Sequence, residues 1–159
     1  MVRLVSYNIR FGGGRRVALI GGVLATLRPD VVLLQEATDP IAVDRIARAA
    51  GLPNVFRRPD WSVAALTREE PDELAWHRPG RSRGFLEVDP AGADGLRLLG
   101  MHLPAGLSNR GERARLRSVE SLLDWAVVRV GDITNPDGTR VELDLPRWNS
   151  SPFSTPLVA

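Results

Sequence analysis

Four apolar residues in a row, Val31-Val32-Leu33-Leu34, stand between Pro29-Asp30 and Gln35-Glu36. Such a run is typical of a strand covered on both faces, which constrains the chain to a layered architecture. Upstream, residues 2–9 carry Val, Leu and Ile at strand spacing, and Gly12-Gly13-Gly14 breaks the pattern. From about Arg15, Val17, Ile20, Leu24 and Leu27 recur on one face of a 3.6-residue period. Gly21-Gly22 weakens this helix by about 1 kcal/mol each relative to Ala, and Pro29 ends it. Strand, helix and strand in that order predict a right-handed crossover between two parallel strands.

A second helix is announced by Asp39 as N-cap with Pro40 at the first helical position. Ile41, Ala42, Ile46, Ala49 and Ala50 supply its apolar face, and Gly51 is placed to cap its end. Short strands are expected over 61–67, 73–76, 84–88 and 96–101. The last two are joined through Asp89-Pro90-Ala91-Gly92-Ala93-Asp94-Gly95, which reads as an antiparallel hairpin. A third helix is expected from Asn109, where Asn109 and Glu112 have a capping-box-like spacing, with Leu116, Val119, Leu123 and Ala126 facing the core. Residues 126–130 are expected as a last short strand. The class is α/β with mixed rather than purely parallel sheets. Beyond Ile133 the pattern fades into the turn signal Asn135-Pro136-Asp137-Gly138 and a Pro/Ser-rich stretch. Residues 1–132 are therefore read as the domain and 133–159 as an irregular tail.

Composition removes several chemistries. The 159 residues are enough for one ordinary core, with 43% hydrophobic and 25% charged residues arguing against a disordered chain. Cys is absent, which excludes disulfides, thiolate metal sites and a Cys nucleophile. All 21 basic residues are Arg, so a Walker-type lysine and Schiff-base catalysis are excluded as well. Against 19 acidic residues the net charge is only +2, which permits a nucleic-acid partner without demanding one. No window approaches the roughly 18 consecutive apolar residues of a membrane span, and the N-terminus has no signal-peptide pattern. A cytoplasmic protein without a membrane partner is the expectation.

Polar residues at the ends of buried strands are the informative ones, because ligands of layered α/β folds gather there. Four positions qualify: Asn8 ends the first strand, Glu36 follows Val31 to Gln35, His102 closes Leu98-Leu99-Gly100-Met101, and Asp132 follows Val130-Gly131. Taken singly, each has a plain structural role: a turn former, a loop carboxylate before Asp39-Pro40, a satisfied histidine, a loop pair with glycine. As a set, an amide, two carboxylates and an imidazole suit a hard divalent cation and a phosphate ester.

The segments Ser6-Tyr7-Asn8-Ile9-Arg10 and Pro29-Asp30-Val31-Val32-Leu33-Leu34-Gln35-Glu36 resemble the opening of the endonuclease/exonuclease/phosphatase superfamily. Gly100-Met101-His102-Leu103 resembles its Thr-His-Leu strand end, and Val130-Gly131-Asp132 the start of its Gly-Asp-Phe-Asn motif. The resemblance covers about residues 1–132. It implies a deoxyribonuclease-I-like layered β-sandwich of mixed sheets flanked by helices, with part of the second sheet missing. It implies a divalent-metal-dependent hydrolase of phosphate esters, a phosphodiesterase or nuclease using Mg²⁺ or Mn²⁺. Glu36 would be the metal ligand, and Asn8 would assist metal or phosphate positioning. His102 would contact the scissile phosphate or move a proton, Asp132 would orient the attacking water, and Arg10 would contact phosphate.

Two departures stand beside the resemblance. The motif's Asn falls two residues after its Asp, where this chain has Thr134, with Asn135 one later; either could substitute. The family's closing Ser-Asp-His motif has no counterpart, since His77 and His102 are the only histidines. The alternative is accordingly a catalytically silent relative that binds nucleic acid or protein through its Arg-rich face.

Other features carry plainer readings. Arg10-Phe11-Gly12-Gly13-Gly14-Arg15-Arg16 reads as a flexible strand-to-helix connection rather than a phosphate cradle. Arg78, Arg81 and Arg83, near Trp76 and Phe85, read as a solvated basic loop. Trp61 and Trp76 read as core, and His77 as a strand-end surface residue.

Overall fold

The computed structural model describes residues 2–78, 84–93, 95–104 and 108–130. The chain divides into two compact units, 1–122 and 123–159. Of the second, the described part is the end of a helix.

In the first unit, the expected βαβ crossover is present. Strand β1 (Leu4–Asn8) is followed by a 3₁₀ turn at Gly14–Arg16, helix α1 (Val17–Leu27) and strand β2 (Val31–Gln35), which pairs parallel to β1 with Asn8 opposite Gln35. Helix α2 (Pro40–Ala50) then leads to β3 (Asn54–Arg57) and β4 (Val63–Thr67), giving a four-stranded mixed sheet in the order β1-β2-β4-β3. Strands β5 (Glu73–His77), β6 (Phe85–Asp89) and β7 (Leu98–Met101) form a second, antiparallel sheet, and α3 spans Asn109–Val130.

The period-2 alternation of β2 and β4 explains the layering. Val32, Leu34, Ala64 and Leu66 point to one side, where they pack with Ile20 and Leu24 of α1 and Val43 and Ile46 of α2. Val31, Leu33, Val63 and Ala65 point to the other, against Leu86, Val88 and Leu98 of the second sheet. The continuous apolar run is thus sandwiched as expected, each fully buried Leu or Val contributing about 1.5–3 kcal/mol. The helices pack closely because Gly21 of α1 faces Ala49 of α2: a Cβ on Gly21 would lie 2.5 Å from the Ala49 Cβ.

The caps of α2 are those the sequence signals. Asp39 accepts from the N–H groups of Ile41 and Ala42, at 2.9 and 3.2 Å, and Gly51 closes the helix in the left-handed conformation at φ 68°. The expected 84–101 hairpin is formed by β6 and β7.

Several expectations need correction. Leu27 and Ile41, expected on the apolar faces of the first two helices, are exposed. Residues 126–130 are not a strand but the last turns of α3; once a helix is nucleated, each added residue gains a hydrogen bond, and that outweighs the modest reluctance of Val127, Val128 and Val130. The cap of α3 is Ser108 rather than Asn109: the Ser108 Oγ accepts from the Gly111 N–H, and its carbonyl from the Glu112 N–H. Leu116 is exposed, because the helix turns the stripe of Gly111, Ala114, Arg115 and buried Ser118 inward instead. Strand β3 was not foreseen, since Asn54-Val55-Phe56-Arg57 is short and only half apolar.

Candidate functional site

The site forms where β1, β2 and β7 end and β4 begins. Because β4 runs antiparallel to β2, Ser62 at its start lies beside Glu36 at the end of β2, and the Ala37 N–H donates to the Ser62 carbonyl at 3.1 Å. Parallel pairing of β1 with β2 brings Asn8 alongside. His102, just past Met101 at the end of β7, comes to the same end from the second sheet.

Glu36 is the hub. Its Oε1 accepts from Asn8 Nδ2 at 3.1 Å and its Oε2 from the Phe11 N–H at 2.8 Å. His102 Nε2 stands 3.8 Å from Oε1, in ion-pair range but too far for a hydrogen bond. The Phe11 N–H and the Asn8 amide, in that order, hold the Glu36 carboxyl below its ordinary range against a smaller opposing effect of burial; the charges of His102 and Arg10 act the same way as the hydrogen bonds. The Glu36 side chain keeps 22% of its surface, so the anion faces solvent. Its backbone is left-handed at φ 56°, a strained state for a non-glycine residue of the kind that clusters at functional sites.

The Gly-rich connection is built rather than flexible, which corrects the sequence reading. Arg10, Phe11, Gly12, Gly13 and Gly14 all have positive φ, from 50° to 82°. The Gly12 N–H donates to the Glu36 carbonyl at 2.9 Å, the Gly13 N–H to the Arg10 carbonyl at 3.2 Å, and Arg16 Nη2 to the carbonyls of Ile9 and Arg10. A side chain on Gly12 would meet the Asp39 Cβ at 2.9 Å. The turn therefore delivers the Phe11 N–H to Glu36 and needs glycine to do so.

Of the residues singled out in the sequence, Asn8, Glu36, His102 and Arg10 come together here. Arg10 donates its backbone N–H to Asn8 Oδ1 at 2.8 Å, and the residue is exposed. That bond orients Asn8 so that its amide nitrogen faces Glu36, making Asn8 first of all a support for the carboxylate. Asp132, Thr134 and Asn135 lie outside the described residues. Sequence reasoning missed Ser62, whose Oγ is 3.0 Å from His102 Nδ1; a lone Ser before a strand carries no signal of its own. His77 is also corrected: it is half-buried, with Nε2 2.6 Å from Oε2 of buried Glu87, which Arg97 also contacts at 2.9 Å. Trp61 and Trp76 meet edge to face at 4.9 Å against the second core. Arg78 lies over Trp61 at 4.8 Å, while Arg81 and Arg83 lie outside the described residues.

A cleft of about 340 Å³, lined by Ala37, Thr38, Arg58, Trp61 and Ser62 among others, adjoins the site through Ser62. Another of about 230 Å³ opens at the opposite end of β2, beside Asp30 and Thr67, away from these groups.

Among the described residues no three His, Asp or Glu side chains cluster as a complete metal cage. The donors present still suit a hard divalent cation. Mg²⁺ is commonly held by one or two carboxylates, keeping waters and substrate oxygens as its remaining ligands. Glu36 is a carboxylate kept ionised and partly exposed, with an amide beside it.

No protein-family model matches the chain, and no curated protein matches it. Solved structures do. A beta toxin of Staphylococcus aureus with bound magnesium ions aligns with a TM-score of 0.64 at 17% identity, over 84% of this chain and 60% of that one. A truncated TDP2 of Caenorhabditis elegans aligns at 0.60 and 20% identity, over 85% and 57%. The 3′ phosphatase NExo from Neisseria, bound to product DNA hairpin, aligns at 0.62 and 16% identity, over 83% and 54%. This chain thus spans somewhat more than half the length of each. Two stacked sheets flanked by helices, matched across more than four-fifths of the chain, establish for it the deoxyribonuclease-I-like fold that these structures share.

Proposed function

We propose that this chain is a divalent-metal-dependent hydrolase of phosphate esters, acting on a phosphodiester. The observation that carries this reading is the convergence of Asn8, Glu36 and His102 from three separate strand ends, with Glu36 Oε1 3.1 Å from Asn8 Nδ2 and 3.8 Å from His102 Nε2. The magnesium in the beta toxin and the DNA on NExo, both on the same fold, support it.

Glu36, buttressed by Asn8, would hold Mg²⁺ or Mn²⁺, which when bound would neutralise charge on the phosphoryl oxygens. The hydrogen bonds from Phe11 and Asn8 keep Glu36 anionic and fix its direction, so nothing need reorganise when substrate arrives. His102 has one ring nitrogen on Ser62 Oγ and the other toward Glu36, so Ser62 sets the ring's rotation and Nε2 is left to donate to a phosphoryl oxygen or to pass a proton. Arg10, exposed at the rim, supplies a fixed positive charge for a non-bridging oxygen. Asp132 is assigned, by the resemblance alone, to orienting the attacking water, with Thr134 or Asn135 in place of the motif's amide.

Nicking of supercoiled plasmid DNA and hydrolysis of bis-p-nitrophenyl phosphate, each with Mg²⁺ or Mn²⁺ and with EDTA, test the proposal. Cleavage of the small diester that needs the cation supports it. Salt-sensitive DNA binding with no hydrolysis of either substrate would favour the silent binding module instead.

A further inference from the structure

Phe11 is 80% exposed, although its backbone is held in place from several sides. Its N–H donates to Glu36 Oε2, Arg16 clamps the two preceding carbonyls, and the Gly12 N–H is bonded to the Glu36 carbonyl. Phe11 sits at φ 51°, where a bulky side chain is an outlier and glycine would be unstrained. Among the described residues its ring has no aromatic or cationic partner in contact. The fold therefore holds an exposed aromatic residue in a left-handed conformation, with its backbone fixed beside the carboxylate of the site by four hydrogen bonds.

We infer that Phe11 is a specificity-determining stacking platform that receives the planar base next to the phosphodiester held at Glu36 and His102; the inference rests on the phosphoesterase reading above. The immediate surroundings favour a nucleobase over a lipid chain. Insertion into a bilayer surface takes a contiguous apolar face, whereas Phe11 is flanked by Arg10, three glycines and then Arg15 and Arg16. An exposed ring beside exposed Arg10 and Arg15 is a combination that binds single-stranded nucleic acid, the ring taking the base and the cations the backbone. Because one peptide N–H joins the ring's backbone to Glu36, a base seated on Phe11 would be held in register with the reacting phosphate.

The test is a titration of the full chain, in EDTA so that no cleavage intervenes, with a short single-stranded oligonucleotide carrying 2-aminopurine. Wild type is expected to bind it and quench its fluorescence. Phe11→Tyr should keep both properties, while Phe11→Ala and Phe11→Leu should bind about tenfold more weakly and lose the quench. Wild-type affinity and quench in Phe11→Leu, with its circular dichroism unchanged, would overturn the inference. So would wild-type protein that ignores the oligonucleotide but binds phosphatidylcholine vesicles. Failure of the phosphoesterase reading would register separately, as absent Mg²⁺-stimulated hydrolysis of bis-p-nitrophenyl phosphate, which this titration does not measure.

Discussion

Asn8 and Glu36, the last residue of one strand and the first beyond its parallel neighbour, are joined by a 3.1 Å hydrogen bond from amide to carboxylate. The Asn8 Oδ1 is itself fixed by the Arg10 N–H at 2.8 Å, so the carboxylate is aimed by a short relay of backbone and amide. Asn8→Ala should leave Glu36 in place but free to rotate. The concentration of Mg²⁺ giving half-maximal turnover is expected to rise about 10- to 100-fold, with little change in thermal midpoint. An unchanged Mg²⁺ dependence would remove Asn8 from the site.

Ser62 acts through His102, whose Nδ1 it contacts at 3.0 Å. Ser62→Ala should lower kcat about tenfold while KM stays within about twofold, because the ring loses its orientation but no substrate contact is deleted. A rise in KM at constant kcat would point to a substrate contact instead.

The Glu36 carboxyl titrates below its ordinary value of 4.5 in the folded chain, chiefly through the Phe11 N–H. A depressed folded pKa contributes stability that is fully present above the unfolded value and is lost as pH falls through the folded one. Glu36→Gln should therefore lower the urea midpoint at pH 7 relative to wild type, and the gap should close as both are acidified below 4.5. A gap that widens in acid would contradict the hydrogen-bond pattern.

Gly21 and Gly22 are adjacent in α1 yet should respond with opposite signs. A methyl on Gly21 would press on the Ala49 Cβ at 2.5 Å, whereas one on Gly22 meets nothing within 4 Å. Gly22→Ala should stabilise the fold by about 0.5–1 kcal/mol, and Gly21→Ala should destabilise it by about 1–3 kcal/mol, read from urea midpoints.

Much of this fold is written in local pattern. Val31 to Leu34 demanded cover on both faces and received it, and Asp39-Pro40 with Gly51 bounded α2 as their chemistry requires. Asn8, Glu36 and His102 were legible because each is a polar residue at the exit of an apolar strand. Ser62 was not, because its role exists only once β4 lies antiparallel to β2 and His102 arrives from the other sheet. The strand expected at 126–130 failed for a related reason: five residues rich in Val look alike in a strand and at the end of a long helix, and only the preceding turns decide. The built Arg10–Gly14 turn looked like a flexible linker because the hydrogen bonds that organise it come from Glu36 and Arg16, beyond its own five residues.

The decisive comparison is initial-rate hydrolysis of bis-p-nitrophenyl phosphate at saturating Mg²⁺ by wild type and Glu36→Gln, with thermal melts of both. The expected result is Mg²⁺-stimulated turnover that falls by at least about 100-fold in Glu36→Gln while the fold persists. Equal turnover by the two proteins would contradict a phosphoesterase centre built on Glu36.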